Sequence, residues 1–126
     1  MIAGHGLECV ITLGTGMGFA LFEEGIPGPH LELSQHPVRG RKTYDQYIGN
    51  AALRAVGRKR WNRRVRTAIG HIATLTSFYV LYIGGGNSRH MQGDLPDKAR
   101  IVSNEAGITG GIRLWDATLD AKFVVA

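Results

Sequence analysis

This 126-residue chain has a single cysteine, no long apolar run and no N-terminal pattern typical of a signal peptide. Its one cysteine, Cys9, excludes an internal disulfide, and because it lies in a strand-like apolar run we expect a buried, inert thiol. The longest apolar stretches, 9–13 and 78–83, are far shorter than the roughly 20 residues of a membrane helix. No basic segment precedes a long apolar one at the N-terminus, which predicts a cytoplasmic protein.

The remaining composition is typical of one globular domain. Apolar residues make up 44% and charged residues 20% of the chain, without a bias towards disorder. The length favours a single domain over residues 1–126. Glycine is abundant, since its 18 residues are about twice the average share, and they cluster near 14–18, 84–86 and 107–111. Glycine clusters are therefore the first candidates for function.

Five segments have the composition of β-strands. Apolar and β-branched residues on both sides of the first glycines predict a β-hairpin from 7–14 and 19–25. Residues 31–38 supply a third strand, limited to an edge by a proline near its end. The run at 78–83 predicts a strand buried on both faces, as in parallel sheets, and a short strand follows at 99–104.

Three segments are predicted to be helical. Thr43 and Gln46 form a capping box, and the periodic apolar residues after it predict a helix over 43–57. A second helix covers 60–76, and residues 106–115 form a third despite their glycines. The element order indicates an α/β fold with glycines at strand ends, where such folds bind ligands.

The glycine clusters allow two interpretations each. In TLGTGMG, the small residues let the backbone approach a phosphate, and Thr15 supplies a hydroxyl donor, but a tight hairpin alone explains the same pattern. The GGGN segment at 84–87 follows a buried strand, so a base or phosphate can lie against its bare backbone. The alternative is that these glycines only allow close packing. The cluster at 107–111 favours close helix packing over ligand binding.

Taken together, five segments carry a resemblance that none of them carries alone. They are TLGTGMGFALFEEG, LELSQHP, TYDQYIGNAALRAVGRKRWNRRV, LYIGGGN and IVSNEAGITGGIRLW, within residues 7–116. The chain resembles the C-terminal half of a ROK-family sugar kinase, in the actin-like ATPase superfamily, and is most similar to the polyphosphate glucokinase-like branch. The resemblance implies a ribonuclease-H-like domain with a mixed sheet and flanking helices.

The resemblance also implies ligands and the residues that bind them. The intact family transfers a phosphoryl group from ATP or polyphosphate, with Mg, to a hexose such as glucose. By position in the motifs, the phosphate-binding residues are Gly14, Thr15 and Gly16; the nucleotide-binding residues are Gly85, Gly86 and Asn87; and the sugar-binding residue is Glu32.

Three parts of the family pattern differ or are missing. The E-x-G-H sugar motif here has Ser34 and Gln35 in place of its glycine and histidine, and His36 comes one residue late. One cysteine cannot form the family's zinc loop, so we predict no metal site. The 126 residues contain no D-x-G-G-T turn with its catalytic aspartate, so we assign no catalytic residue and expect no activity from this chain alone.

Two interpretations follow from the missing half. The chain is part of a truncated or split kinase whose N-terminal half is elsewhere, or it is a noncatalytic domain for binding or assembly. In both cases a lone half exposes apolar surface that normally faces the other domain, so we expect a homo-oligomer or a complex with a separate N-terminal half.

Ten of the fifteen basic residues lie between Arg39 and Arg66, and the net charge is +5. The densest run is the predicted helix segment 58–66, RKRWNRRVR. Three interpretations of this segment are open: a solvated amphipathic face, a polyphosphate-binding patch or a nucleic-acid site. The nucleic-acid site is less well supported, because the aromatic residue of the segment is in a core position. The predicted polyanion patch consists of Arg58, Lys59, Arg60, Arg63 and Arg64.

Overall fold

A mixed sheet of five strands organises the part of the chain that the computed structural model describes, residues 6–29 and 31–102. The strands are β1 (Leu7–Leu13), β2 (Met17–Glu23), β3 (Ile26–Pro27), β4 (Pro37–Arg39), β5 (Lys42–Thr43), β6 (Val80–Gly84) and β7 (Ala99–Ile101). The strand order is β3-β2-β1-β6-β7, and β4 and β5 form a separate two-stranded sheet. The helices are α1 (Tyr44–Ile48), α2 (Asn50–Val56) and α3 (Arg58–Thr76).

Strand β1 is the centre of the sheet. It pairs with β2 in the antiparallel direction and with β6 in the parallel direction. Its odd-numbered side chains Cys9, Ile11 and Leu13 are fully buried in the main core with the helices, while Val10 packs on the opposite face. The predicted hairpin is confirmed, and β6 is a buried parallel strand as expected.

The predicted third strand at 31–38 is wrong. Residues Leu33–Gln35 form a single 3-10 turn, in which the His36 amide donates to the Leu33 carbonyl at 2.9 Å. The third strand is instead Ile26–Pro27, directly after the hairpin, where the Gly28 amide donates to the Leu21 carbonyl at 2.8 Å. Pro37 begins a strand of the small sheet because its missing amide hydrogen prevents internal pairing.

The predicted helix over 43–57 forms as two helices, α1 and α2. The capping box is confirmed, since the Thr43 hydroxyl accepts from the Gln46 amide and the Gln46 side chain accepts from the Thr43 amide. The break lies at Gly49, whose ψ of 178° is extended. A Cβ at Gly49 would lie 2.6 Å from the Thr15 carbonyl oxygen, so only glycine lets the chain approach the β1–β2 turn this closely.

Helix α3 begins two residues earlier than predicted and carries the core contacts Trp61, Val65, Ala68, Ile69 and Ile72 on one face. Trp61 is fully buried, and its indole nitrogen donates to the Ile48 carbonyl at 2.9 Å. In the described residues, no helix combines the length and the apolar character that a membrane crossing requires. The strand predicted at 99–104 is observed over Ala99–Ile101, and the helix predicted at 106–115 lies outside the described residues.

The side chain of Asn62 fastens the segment after β6 to α3. Asn62 is buried, and its amide nitrogen donates to the Arg58 and His90 carbonyls, each at 2.9 Å. Its oxygen accepts from the Gln92 amide at 2.7 Å and from Arg66 at 3.1 Å. One buried amide therefore satisfies backbone groups on both segments.

We predict that Asn62→Leu lowers the free energy of unfolding by about 2–3 kcal/mol, because it leaves the Gln92 amide and the His90 carbonyl without their partner. Urea denaturation measures the change. Thr74→Ala is the matched control, since Thr74 lies exposed on the same helix and bonds only to the Gly70 carbonyl, at 3.1 Å. Equal stability of the two variants would contradict a fastening role for Asn62.

Cys9 is fully buried, as predicted. Burial raises the pKa of its thiol to about 11, and the hydrogen bond with Thr76 opposes that rise only in part. In the folded protein near pH 8, the thiolate fraction therefore falls roughly a hundredfold below that of an ordinary thiol. We expect slow alkylation by iodoacetamide in buffer and fast alkylation in urea; equal rates would contradict the burial.

Candidate phosphate-binding cleft

Two glycine turns meet at one edge of the sheet. Because β1 and β6 are parallel neighbours, the turn after Leu13 and the turn after Gly84 lie side by side. Together they line an open cleft of about 420 Å³. The cleft is lined by the 12–18 segment, Gly85 and Gly86, and by Ser34 and Asp45 from outside the sheet.

Gly85 is required at its position for two reasons. Its φ of +88° is a backbone conformation that side-chain-bearing residues rarely adopt. A Cβ there would also lie 2.6 Å from both the amide nitrogen and the carbonyl oxygen of Leu13. The backbone after β6 thus packs directly on the backbone of β1. The neighbouring Gly86 is exposed and has nothing within 4 Å of a Cβ position.

The turn after β1 is fixed by hydrogen bonds to its main chain. The Gly14 amide donates to the Gly16 carbonyl at 3.0 Å, and the Asn50 amide, at the start of α2, donates to the Thr15 carbonyl at 3.2 Å. Thr15 itself is exposed and lines the cleft. The Gly14 amide is therefore used inside the turn, whereas the Thr15 hydroxyl is a hydrogen-bonding group at the surface of the cleft.

Asp45 is a cleft residue that sequence reasoning missed. Its Oδ1 accepts from the Met17 amide at 2.7 Å, and its Oδ2 accepts from the Gln35 side chain at 3.1 Å. The carboxylate also lies so close to Gly16 that a Cβ there would be 2.7 Å from the Asp45 Cγ. An acidic residue in the first turn of α1 was visible in the sequence, but its contact with a turn 28 residues away was not.

Asn87 lies beside the first turn and is absent from the lining of the cleft. Its side-chain nitrogen donates to the Gly14 carbonyl at 3.4 Å and to the Asn50 side-chain oxygen at 3.3 Å. Of the three predicted nucleotide-binding residues, Gly85 and Gly86 line the cleft. Asn87 therefore connects the segment after β6 to the turn after β1.

Glu32 is exposed and adjoins the cleft through Ser34. The Ser34 hydroxyl donates to the Glu32 Oε1 at 2.8 Å, and Ser34 lines the cleft while being 8% exposed. His36 is exposed, and its Nδ1 lies 2.9 Å from the Pro37 carbonyl oxygen. His36 is absent from the cleft lining.

The described residues contain no cluster of metal-ligating side chains. Within 6–29 and 31–102, no three His, Cys, Asp or Glu side chains are grouped closely enough to hold a metal ion. The cleft carboxylate, Asp45, already accepts a hydrogen bond at each oxygen.

The predicted polyanion patch divides between two sides of α3. Arg60, Arg63 and Arg64 line a groove of about 720 Å³ against the β4–β5 hairpin. Arg58 instead lies 2.9 Å from the Nδ1 of His90, and Lys59 is exposed outside the groove. The hairpin supplies the opposite wall with three further basic residues that sequence reasoning did not include: Arg39, Arg41 and Lys42.

Comparison with solved structures identifies a shared fold. The inorganic polyphosphate/ATP-glucomannokinase from Arthrobacter sp. strain KM matches with a TM-score of 0.71 and 27% identity, over 90% of this chain and 49% of that one. A ROK family glucokinase from Streptomyces griseus, in complex with glucose and AMPPNP, matches with a TM-score of 0.61 and 15% identity, over 88% and 61%. A ROK family protein from Streptococcus pneumoniae TIGR4, in complex with sucrose, gives 0.57 and 14%, over 97% and 50%.

These matches confirm the predicted mixed α/β fold and the predicted resemblance of the chain to ROK-family sugar kinases. The chain spans about half the length of the glucomannokinase. No protein-family model and no curated protein matches the sequence.

We predict that Gly85→Ala lowers the free energy of unfolding by about 2 kcal/mol or more, because positive φ and contact with the Leu13 backbone both oppose a Cβ. Gly86→Ala is the matched control one residue away, with open space around its Cβ, and we expect its stability to stay within about 0.5 kcal/mol of the parent. Thermal unfolding compares the two. Equal losses would contradict the close approach of the two backbones.

Proposed function

We propose that this chain is the phosphate-binding, C-terminal part of a ROK-type sugar kinase, which moves a phosphoryl group from ATP or polyphosphate to a hexose such as glucose. The observation that carries the proposal is the convergence of two glycine turns, from the ends of β1 and β6, on one cleft with Thr15 exposed in it. The fold shared with the glucomannokinase supports it.

The donor phosphates would lie along the first turn. The hydroxyl of Thr15 and the amides of Thr15 and Gly16 would donate to phosphate oxygens, as main-chain amides do in other glycine-rich phosphate loops. Gly85 and Gly86 leave bare backbone on the other side of the cleft, where a phosphate or base can approach. Asp45, Asn50 and Asn87 would hold the turn in place.

The hexose would be held by Glu32. Its carboxylate would accept hydrogen bonds from sugar hydroxyls, and the Ser34 hydroxyl, which donates to it at 2.8 Å, would fix its orientation at the side of the cleft. Since the family's glycine and histidine are replaced by Ser34 and Gln35, the sugar contacts of this chain would differ from the usual set.

The general base and the first phosphate turn would have to come from another polypeptide segment. The 126 residues contain no D-x-G-G-T motif, and phosphoryl transfer requires donor and acceptor to be positioned together. We therefore propose that the chain works with a separate N-terminal half. A homo-oligomer would cover apolar surface that a lone half exposes, but it would not supply the base. A noncatalytic polyanion-binding domain is the second candidate, and the basic groove beside α3 is the observation that favours it.

We expect the chain to bind AMPPNP and Thr15→Val to weaken that binding roughly tenfold, because the variant removes one hydrogen-bond donor to a charged phosphate. Isothermal titration calorimetry measures the affinity, with Thr74→Val as the control because Thr74 is exposed on α3. Unchanged affinity in Thr15→Val would refute the assignment of the first turn.

In a coupled assay for glucose phosphorylation, we expect no product from this chain alone with either ATP or polyphosphate. The physical reason is the missing general base, without which the sugar hydroxyl is not activated. A reaction with boiled chain sets the background. Turnover above that background would show that a residue within these 126 supplies the base.

A further inference from the structure

The basic groove beside α3 is a second anion site, distinct from the cleft at the glycine turns. Its nine lining residues include six cations and no carboxylate. Its volume of about 720 Å³ exceeds the cleft's 420 Å³. The geometry points to a binding site for a linear chain of phosphates, inorganic polyphosphate. The six cations are Arg39, Arg41, Lys42, Arg60, Arg63 and Arg64.

Two structural elements bring these charges together. On α3, residues 60, 63, 64 and 67 recur at helical spacing and therefore share one face. Opposite that face, the β4–β5 hairpin turns through Gly40 and Arg41, which places three basic residues within four positions, from Arg39 to Lys42. Like charges held this close repel one another, so an extended anion between the walls would relieve the repulsion.

Part of the groove is already held in a fixed geometry. The Arg64 side chain donates to the Tyr47 carbonyl at 3.2 Å, and its guanidinium carbon lies 4.9 Å from the centroid of the Tyr47 ring. This cation-π contact and hydrogen bond limit the motion of Arg64 before any ligand binds. A guanidinium held in this way suits the oxygens of a phosphate.

The same contact disfavours nucleic acid as the occupant. Tyr47 is the aromatic residue in the lining, and only 6% of its surface is exposed because Arg64 and the core cover it. Proteins that hold single-stranded nucleic acid stack bases on exposed aromatic rings, and this lining presents none. A ligand with a phosphate chain and no bases matches what the groove presents.

Helix α1 separates the groove from the cleft. Asp45 lines the cleft and Tyr47, two residues later, lines the groove. The choice of polyphosphate among polyanions rests on the proposed kinase function, whereas binding in the groove requires neither sugar nor transfer. The two ideas can therefore fail separately.

The test measures binding of long-chain polyphosphate to the full chain by calorimetry, at about 50 mM and about 200 mM salt. We expect Arg39→Glu/Arg41→Glu and Arg60→Glu/Arg63→Glu each to weaken binding at least tenfold. Arg54→Glu/Lys59→Glu is the matched control, because it makes the same change in charge at two exposed residues outside the groove. Circular dichroism verifies that each variant is folded.

Equal losses in the groove variants and the control would overturn the inference, because binding would then follow net charge alone. Single-stranded DNA of equal charge should bind more weakly than polyphosphate; equal or tighter DNA binding would overturn the choice of ligand. Thr15→Val should weaken only the binding of polyphosphate at the cleft, so the groove variants should still lower polyphosphate affinity at least tenfold when they are made in the Thr15→Val background. If Thr15→Val abolishes that affinity and the groove variants do not, the groove inference fails while the proposed function stands.

If the groove variants weaken polyphosphate binding and Thr15→Val leaves AMPPNP affinity unchanged, the groove inference stands and the cleft assignment fails.

Discussion

The parallel pairing of β1 with β6 is the constraint on which the cleft depends. It brings the two strand ends to the same edge of the sheet, and the absence of a side chain at Gly85 lets the second turn pack against the backbone of Leu13. Side-chain bulk at this point would separate the turns. The candidate site is thus made chiefly of main chain, which explains why so few of its residues carry charge.

Hydrogen bonds from three separate segments then fix the first turn. Asp45 of α1 holds the Met17 amide, the Asn50 amide of α2 holds the Thr15 carbonyl, and Asn87 from the segment after β6 holds the Gly14 carbonyl. A glycine-rich turn has many conformations available to it, and each bond removes some of them. The conformation of the turn is therefore fixed by the protein itself, and such preorganisation would lower the entropy lost if a phosphate binds there.

Local patterns in the sequence were sufficient for most of the elements but not for the contacts between them; the strand predicted at 31–38 was wrong. The hairpin, the capping box at Thr43 and the buried strand before the GGGN segment each have a short-range signature, and each formed. The break at Gly49 was missed because the apolar periodicity of 43–57 runs through it; the cause of the break lies in the Thr15 carbonyl, far away in sequence. Asp45, Ser34 and the basic hairpin were missed for the same reason, since their roles depend on tertiary neighbours.

The break between α1 and α2 frees a backbone amide that then stabilises the β1–β2 turn. In one continuous helix, the Asn50 amide would donate to the Gln46 carbonyl four residues earlier. Because the helix stops at Gly49, that donor is released and reaches the Thr15 carbonyl instead. The loss of one helical hydrogen bond at Gly49 thus supplies a hydrogen bond that fixes the conformation of the β1–β2 turn.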